Sequence, residues 1–515
     1  MASIRPIRPR IKIASLPATV GGLNARDSYA EMPPTDAVVL TNYFPRTTTV
    51  DLRFGYSQHA TGMTGQSETL MAYAGGSSNK FFSANSGGRI YEVTSSGAVG
   101  AADVTGLTNG RFQYINIATS ANNYLMGVNG ADKARFYTGS AWATDGDGAP
   151  YDITGVDSAT CIGINMHKNR VWLIKQNDLR AWYLPTGAIG GAAAALDLRA
   201  FAPHGGGLVA MATWTIDAGQ GVDDYAVFIT NKGDVIVYAG TDPASATTWA
   251  LRGVWYLGTP VGNRPFIKWG GDLLLICRDG VLPLSQALAS SRVNNRTAIT
   301  DKIQQAIGSA IVDYGSNFGW QLCLFPLQDM LVLNVPVSAG SAQEQYAMNT
   351  ITGAWGRFNS WAANCWELFQ DELYFGGNTY VGQAWDTNAD NGSAINGFIL
   401  QAFNEFGAPG ITKRVTSMRP MFLTNGVPQI YANVNWDYDL SDPTAALSFS
   451  ATNYGVWDTA TWDNGLWGTD LVPTFAIQGA TGSGIAGAPV FKSSCSGLQL
   501  QLVSTAISLE IGGFL

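Results

Sequence analysis

Charged side chains are scarce in this sequence. Only 13% of its 515 residues are Asp, Glu, Lys or Arg, whereas an average soluble domain carries about 25%. The formal net charge is −8, so acidic groups outnumber basic ones. Tight binding of nucleic acid depends on Lys and Arg side chains that release counterions from phosphates, and this composition argues against it. A surface with so few charges is typical of subunits that bury large areas in permanent interfaces.

Histidine and cysteine are too few and too scattered to indicate a metal site or a disulfide framework. The histidines are His59, His167 and His204. None has a partner at the short spacing typical of metal ligands on a helix. The cysteines are Cys161, Cys277, Cys323, Cys365 and Cys495. An odd, widely spaced set without a CxxC pair predicts reduced, buried thiols in a protein made in the cytoplasm, and we expect no metal and no cofactor.

The sequence contains fragments of catalytic motifs but no complete one. HGGG at residues 204–207 resembles an esterase oxyanion loop, yet the GxSxG motif that accompanies such a loop is absent. A glycosidase needs two facing carboxylates. The adjacent acidic pairs are Asp145 with Asp147, Asp223 with Asp224, and Asp371 with Glu372. Each pair lies in a turn-like context, where Asp normally bonds its own backbone, so we expect no enzymatic activity.

Long apolar runs are also missing, since no window approaches the ~20 apolar residues that span a membrane. Short apolar strands separated by Gly-containing turns replace them, as in DDYAVFITNKGDVIVYAG (residues 223–240). Passages of this kind recur at intervals of about 50 residues between Phe81 and Leu373. This period is typical of propeller blades with about four strands each. We therefore predict an all-β fold with a β-propeller-like core of six or seven blades; stacked β-sandwiches are the alternative.

Two stretches depart from the repeating strand pattern. Ile299, Ile303 and Ile307 lie four residues apart and are followed by Gly315, which predicts an amphipathic helix within an insertion at about 284–314. Beyond the last repeat, alternating strands return and indicate a separate antiparallel β domain. The predicted divisions are an extended N-terminal arm with the first strands (1–60), the propeller-like domain (61–385) and the C-terminal β domain (386–515).

The loop DTNADNGSAING (residues 386–397) has the alternating oxygen-bearing side chains of a calcium loop. Its sixth position is Asn391 instead of Gly, and its twelfth is Gly397 instead of Glu. Both departures remove features that the calcium-binding loop of an EF-hand requires. We interpret this loop as the exit from the propeller.

The one basic cluster lies at the N-terminus. MASIRPIRPRIK contains Arg5, Arg8, Arg10 and Lys12 and no acidic residue. The prolines in the same stretch exclude a helix. We predict that residues 1–50 are largely extended and contact another chain or the far side of their own propeller.

Three tryptophans recur every five residues in GVWDTATWDNGLWG (residues 455–468). They are Trp457, Trp462 and Trp467. This spacing cannot keep them on one face of a strand, and it rotates each one by about 140° on a helix. Each Trp therefore belongs to its own short element, with Asp458 and Asp463 in the turns. We interpret the three as a buried structural aromatic staple, whereas exposed rings would form a sugar-binding platform.

Three stretches carry a resemblance to a known family. They are PATVGGLNARDSYAEMPPTDAVVLTNYFPRTTTVDLRFGY (17–56), RDGVLPLSQAL (278–288) with the isoleucine helix that follows, and ADNGSAINGFILQAFNEFGAPGITKRV (389–415). With the Trp–Asp pattern, they resemble the tail hub or nozzle proteins of short-tailed double-stranded-DNA bacteriophages, also called packaged-DNA stabilisation proteins. The resemblance covers the N-terminus, the helical insertion and the C-terminal third, whereas the blades share only the general strand-and-turn pattern of the family.

The resemblance implies a β-propeller protomer in a structural virion protein of the phage tail, made in the host cytoplasm. Several copies, typically a homo-hexamer, would surround a channel below the portal and the head–tail adaptor. The ring would retain packaged DNA, conduct it during ejection, and offer docking surfaces to fibres, spikes or a needle. The basic arm would then attach the subunit to an acidic adaptor; contact of the arm with DNA is the alternative. The alternative from another class is a glycan-binding or glycan-cleaving propeller used in host attachment.

Overall fold

A computed structural model describes residues 11–76, 78–217, 222–289, 298–338, 340–449 and 471–512 of the chain. Within these ranges the protein consists mainly of β-strands, with two α-helices and short 3-10 turns. The 3-10 turns span Ser158–Thr160, Arg199–Phe201, Asp301–Ile303 and Pro326–Gln328. The all-β fold class predicted from the sequence is thereby confirmed.

The described chain begins with short strands and continues as a series of antiparallel units. The first strands are β1 (Ile11–Pro17), β2 (Gly22–Leu23), β3 (Asp36–Thr41), β4 (Tyr43–Pro45) and β5 (Val50–Leu52). Seven units of three or four strands then follow one another along the chain. The first unit contains β6 (Tyr56–Tyr73), β7 (Lys80–Asn85) and β8 (Arg89–Glu92), and the short β9 (Gly97–Ala98) that follows pairs with residues 60–61 of β6. The second unit contains β10 (Gln113–Ala118), β11 (Asn123–Val128), β12 (Arg135–Tyr137) and β13 (Trp142–Thr144).

The third to seventh units repeat this arrangement. The third has β15 (Cys161–His167), β16 (Arg170–Lys175), β17 (Arg180–Tyr183) and β19 (Ala194–Asp197). The short strands β14 (Ile153–Thr154) and β18 (Gly191–Ala192) pair with each other beside it. The fourth has β20 (Leu208–Asp217), β21 (Val222–Thr230), β22 (Asp234–Gly240) and β23 (Trp249–Tyr256). The fifth has β24 (Phe266–Trp269), β25 (Asp272–Cys277) and β26 (Gly280–Pro283). The last two have β27 (Gln321–Phe325), β28 (Met330–Ser338), β29 (Ala342–Asn349) and β30 (Trp355–Phe358), then β31 (Cys365–Phe369), β32 (Glu372–Gly376) and β33 (Asn378–Ala384).

One long strand joins the last unit to the first. Residues 56–66 of β6 pair with β33 in the seventh unit, and residues 67–73 of the same strand pair with β7 in the first. The innermost strands contact one another around a ring, from β6 through β10, β15, β20, the β24–β25 hairpin, β27 and β31 back to β6. A ring of radially arranged antiparallel sheets is a β-propeller. The predicted propeller is confirmed, and the units are its blades.

Blade strands are apolar on both faces because each blade packs between two neighbours. In β21, Phe228 belongs to the core shared with the third blade, whereas Val227 and Ile229 belong to the core shared with the fifth. The turn from β21 to β22 contains Gly233, whose φ is +95°. A Cβ atom there would lie 2.4 Å from the carbonyl oxygen of Gly258, so only glycine fits this turn.

The helical insertion follows the fifth blade. Its helices are α1 (Leu284–Ala289) and α2 (Gln304–Tyr314). Ile303 and Ile307 are fully buried in a core that they share with Trp355 of the sixth blade. The indole nitrogen of Trp355 also donates to the carbonyl oxygen of Ile299 at 3.0 Å. The predicted helix is confirmed as α2, which contains Ile307, whereas Ile303 ends a 3-10 turn and Ile299 lies before that turn. Among the described residues, neither α1 nor α2 could span a membrane.

The C-terminal strands form two sheets that include N-terminal strands. They are β34 (Ile395–Gln401), β35 (Lys413–Thr424), β36 (Gln429–Trp436), β37 (Val472–Phe475), β38 (Gln478–Gly479), β39 (Ser483–Gly484), β40 (Gly487–Cys495) and β41 (Leu500–Ile511). β1 pairs with β41, from Ile11 opposite Glu510 to Pro17 opposite Ser504. β3 lies between β30 of the sixth blade and β34, so this blade and the C-terminal strands share one sheet. From residue 11 onward, the stretch predicted as an arm with first strands therefore joins the C-terminal β-structure.

A buried ion pair fixes the junction between the N-terminal segment, the last blade and the C-terminal strands. Arg53 is fully buried, and its guanidinium donates to the two carboxylate oxygens of Asp390 at 2.8 and 2.7 Å. The remaining donors bind Asn42 Oδ1 and the carbonyl oxygens of Phe54 and Asn359 at 3.0, 2.9 and 2.8 Å. Asp390 belongs to the loop with calcium-like spacing, and its carboxylate neutralises an arginine there.

We predict that Arg53→Met lowers the free energy of unfolding by about 3–5 kcal/mol, because it leaves the Asp390 carboxylate buried without its partner. Urea unfolding followed by tryptophan fluorescence measures the change. Lys492→Met is the matched control, since Lys492 and Asp442 form an ion pair in which half of each side chain is exposed. Its loss should cost less than about 1 kcal/mol. Equal effects of the two substitutions would contradict the role given to Arg53.

Candidate functional site

A cavity occupies the centre of the propeller. Its volume is about 370 Å³, within the range of small-molecule pockets. The innermost strands β10, β15, β20, β24, β27 and β31 line it. Its walls are mainly apolar, with side chains such as Ile164, Met211 and Leu322. The polar side chains among them include Gln113, Tyr114, Arg264, Gln321 and Glu367.

Arg264 joins blades on opposite sides of this cavity. It precedes β24 in the fifth blade, and its Nη2 donates to Thr69 Oγ1 in the first blade at 2.6 Å. The same nitrogen donates to the carbonyl oxygen of Phe112, beside the second blade, at 2.8 Å. Its Nη1 donates to Gln321 Oε1 in the sixth blade at 3.2 Å. One guanidinium therefore links four blades across the centre of the propeller.

Glu367, on β31, is half-buried and belongs to the wall of the cavity. It accepts hydrogen bonds from the Tyr114 hydroxyl and from the backbone N–H of Leu368, the latter at 3.2 Å. Burial raises the pKa of Glu367 from 4.5 to about 7, although Tyr114 and Arg264 act in the opposite direction. Burial also raises the pKa of Tyr114 well above its usual range, so the phenol keeps its proton and remains a donor.

These features are those of a binding site. The cavity is concave and mostly apolar, with a few convergent polar groups and one carboxyl whose pKa is displaced toward neutrality. Tyr114, Arg264 and Glu367 supply hydrogen bonds and charge at its wall. The arrangement is therefore suited to holding a small molecule inside a rigid ring of strands.

The three histidines are separated from one another and pack within individual parts of the fold. His59 Nε2 lies 3.0 Å from a backbone carbonyl oxygen. His167 Nδ1 lies 3.2 Å from Thr213 Oγ1, and burial lowers the pKa of this histidine to about 4, so it is neutral at physiological pH. His204 Nδ1 lies 2.6 Å from Asp234 Oδ1. The described ranges contain no group of three or more His, Cys, Asp or Glu side chains that could hold a metal ion.

The carboxylates of Asp145, Asp224 and Asp371, which the structure describes, do not line the central cavity. Asp145 accepts hydrogen bonds from a backbone N–H at 2.8 Å and from the Ser158 hydroxyl at 2.5 Å. Asp224 forms an ion pair with Lys168 at 2.8 Å. Asp371 has a φ of 65° in the turn between β31 and β32. These carboxylates act in local structure, and the expected lack of enzymatic activity stays a prediction.

All five cysteines are buried, and none is bonded to another. Burial raises the pKa of every thiol. The values are about 12 for Cys161, Cys277 and Cys365 and about 11 for Cys495, and the pKa of Cys323 rises at least as far. Such thiols are protonated at physiological pH and therefore poor nucleophiles, as expected for buried structural cysteines.

The predicted docking arm and aromatic staple lie mostly outside the described residues. Lys12 is the described member of the arm, and its Nζ donates to the carbonyl oxygen of Phe406 at 2.6 Å, which anchors it on its own chain. The side chains beyond the described ranges are Arg5, Arg8, Arg10, Trp457, Trp462 and Trp467. Their roles stay predictions.

Sequence reasoning did not identify Tyr114, Arg264 and Glu367 as a group. They belong to the second, fifth and seventh blades and meet only because the ring of blades is closed. One local signal was present, since CWELF (365–369) places a glutamate inside an otherwise apolar strand. A buried carboxylate is costly unless it has a partner or a role.

Comparisons with protein-family models and with curated proteins find no match for this sequence. Among solved structures, BBS1N in complex with ARL6DN is 8% identical, with a TM-score of 0.40 and coverage of 64% of this chain and 98% of that chain. Raptor from Chaetomium thermophilum is 11% identical, with a TM-score of 0.37 and coverage of 64% and 29%. The extracellular domain of the hybrid two-component system BT3049 from B. thetaiotaomicron is 10% identical, with a TM-score of 0.38 and coverage of 65% and 40%.

The raised pKa of Glu367 predicts that stability falls as pH rises. The folded state keeps the proton up to about pH 7, whereas the unfolded carboxyl releases it near 4.5. The stabilisation is therefore complete below about pH 4.5 and is lost as pH rises to about 7, a total of about 3 kcal/mol. Glu367→Gln should remove this dependence and raise the thermal midpoint at about pH 8.

Thermal unfolding of wild type and variant across this pH range measures the effect. Glu372→Gln is the matched control, because Glu372 is an exposed glutamate on the neighbouring strand β32. Wild type and Glu367→Gln melting with the same pH slope would contradict the prediction.

Proposed function

We propose that this protein is the subunit of a bacteriophage tail hub or nozzle ring, a structural virion component that retains packaged DNA and conducts it during ejection. The proposal includes a homo-oligomer of about six copies. It also includes attachment to the head–tail adaptor or portal and docking of fibre, spike or needle proteins. The subunit would be made in the host cytoplasm and act in the tail of the virion.

The observation that carries the proposal is that the three stretches with the family resemblance pack against one another. Residues 17–56, the helical insertion and residues 389–415 are far apart in the chain. Segments that resemble one family are expected to meet in space when they form a structural unit of that family. A chance resemblance of separate stretches carries no such expectation.

Specific contacts join these stretches. Lys302 of the insertion and Asp36 of the first stretch form an ion pair at 2.8 Å, and Arg26 and Asp301 form a second pair between the same two stretches. β3 of the first stretch pairs with β34 of the third. The Arg53–Asp390 ion pair adds a buried link between the first and third stretches.

In this proposal DNA passes along the axis of a ring of subunits and not through one propeller. The centre of the propeller is bridged by Arg264 and encloses only about 370 Å³. A channel for duplex DNA therefore needs several copies around a shared axis. The net charge of −8 supports this role, because a wall with few phosphate-binding side chains lets DNA slide past.

One sheet offers apolar surface for contacts between copies. Ile11 and Ile13 on β1 are exposed, and so are Phe475 on β37 and Ile477 just after it. β1 and β37 lie on opposite sides of the β35–β41 pair. Exposed apolar side chains in such groups mark contact surfaces. Because the two sides of the sheet differ, their contact would be head to tail, the arrangement that closes into a ring.

The proposal predicts a closed oligomer in solution. Native mass spectrometry of the purified protein should show about six copies. Ile477→Glu should weaken the assembly, because it places a charge in an apolar contact. Ile351→Glu, at a similarly exposed isoleucine of the sixth blade, is the matched control and should assemble normally. A wild-type protein that stays monomeric at high concentration, and as a monomer in virions, would refute the proposal.

The tryptophan staple separates the structural proposal from the glycan alternative. Replacing Trp457, Trp462 or Trp467 by Ala should lower the free energy of unfolding by about 3–5 kcal/mol, the usual loss for a buried large aromatic side chain. At a sugar platform the same variants would keep their melting points and lose glycan binding alone. Thermal melts and glycan-array binding of the three variants distinguish the two functions.

A further inference from the structure

Two opposite charges line the central cavity without neutralising each other directly. Glu367 and Arg264 both belong to its wall, and the positive charge of Arg264 favours the ionised form of Glu367. However, the Arg264 guanidinium donates its described hydrogen bonds to three uncharged oxygens: Thr69 Oγ1, Gln321 Oε1 and the carbonyl oxygen of Phe112. Both side chains are half-buried, and charges that are partly withdrawn from water without a direct counter-ion are costly. A ligand that carries both complementary charges would offset this cost at both side chains.

Both groups keep hydrogen-bonding capacity for such a ligand. A guanidinium has five N–H donors, and the described hydrogen bonds of Arg264 use three of them. A carboxylate has about four lone-pair sites, and Glu367 accepts from the Tyr114 hydroxyl and from one backbone N–H. The free positions suit a carboxylate at the arginine and an ammonium group at the glutamate.

Size and wall chemistry restrict the ligand further. A volume of about 370 Å³ holds a compact organic molecule and excludes a polymer. Ile164, Met211 and Leu322 give the walls an apolar character. A ligand with only a positive charge would be repelled by Arg264, and a ligand with only a negative charge would leave Glu367 without a partner. A molecule with both charges and an apolar body could pair with both charged side chains and pack against the apolar ones.

We propose that the central cavity binds a small zwitterion of the α-amino-acid class, with its ammonium group at Glu367 and its carboxylate at Arg264. Tyr114 positions the Glu367 carboxylate through its hydrogen bond. The site lies within one propeller and does not depend on the tail function proposed above.

A thermal-shift screen of the common L-amino acids against the full-length protein at millimolar concentration is the first test. We expect one or more amino acids with apolar side chains to raise the melting temperature. Calorimetric titration then compares the best amino acid with its methyl ester, which lacks the carboxylate, and with its deaminated acid, which lacks the ammonium group. Each analogue should bind at least about tenfold more weakly, because it loses a charged hydrogen bond.

Glu367→Gln tests the site itself, because it keeps the shape of the side chain and removes its charge. The variant should bind the amino acid at least about tenfold more weakly and no longer prefer it over the deaminated acid. His204→Gln is the matched control, since His204 lies outside the cavity and should leave affinity unchanged. The proposal is overturned if no amino acid stabilises the protein, or if the affinity is the same in Glu367→Gln and wild type.

Discussion

The double pairing of β6 is the constraint on which the rest of the structure depends. Its first half completes the seventh blade and its second half begins the first blade. Without this strand the ring of blades would end in two open sheet edges, which invite pairing with other chains. Closure also brings together inner strands that are distant in sequence. Tyr114, Arg264 and Glu367 therefore line one cavity because of a strand that contains none of them.

Strands of the N-terminal segment also pair with strands that are distant in the sequence, outside the ring of blades. β3 joins the sixth blade to the C-terminal strands, and β1 pairs with β41 at the other end of the chain. Arg53 then fixes the crossing of these elements through its buried ion pair with Asp390. Contacts between the two ends of a chain are expected to form late in folding, because a long loop has to close first.

Several of the few charged side chains lie inside the fold and not on its surface. Arg53, Asp36 and Asp390 are buried and paired, and Glu367 lies in the central cavity. These groups join elements that come from different parts of the sequence. Charges at such places add specificity to the arrangement of sheets.

The sequence by itself determined the class of structure. Apolar strands with glycine turns, as around Gly233, predicted antiparallel blades, and the isoleucines four residues apart predicted a helix that the structure places from Gln304 onward. Scattered cysteines predicted buried thiols, and all five are buried. These properties follow from periods of two and 3.6 residues and from turn chemistry, which are local and can be read from neighbouring residues.

Only the tertiary structure decided which distant residues meet. Asp390 has the sequence context of a weak calcium loop, yet the fold places it against Arg53. In the sequence, Glu367 is distinguished only as one charged residue in an apolar strand. Tyr114 and Arg264, which influence its carboxyl, belong to two other blades. The N-terminal strands looked like a separate arm until their pairing with the C-terminal sheets was known. Pairing between strands that are hundreds of residues apart depends on how the whole chain packs, so it cannot be predicted from the pattern of neighbouring residues.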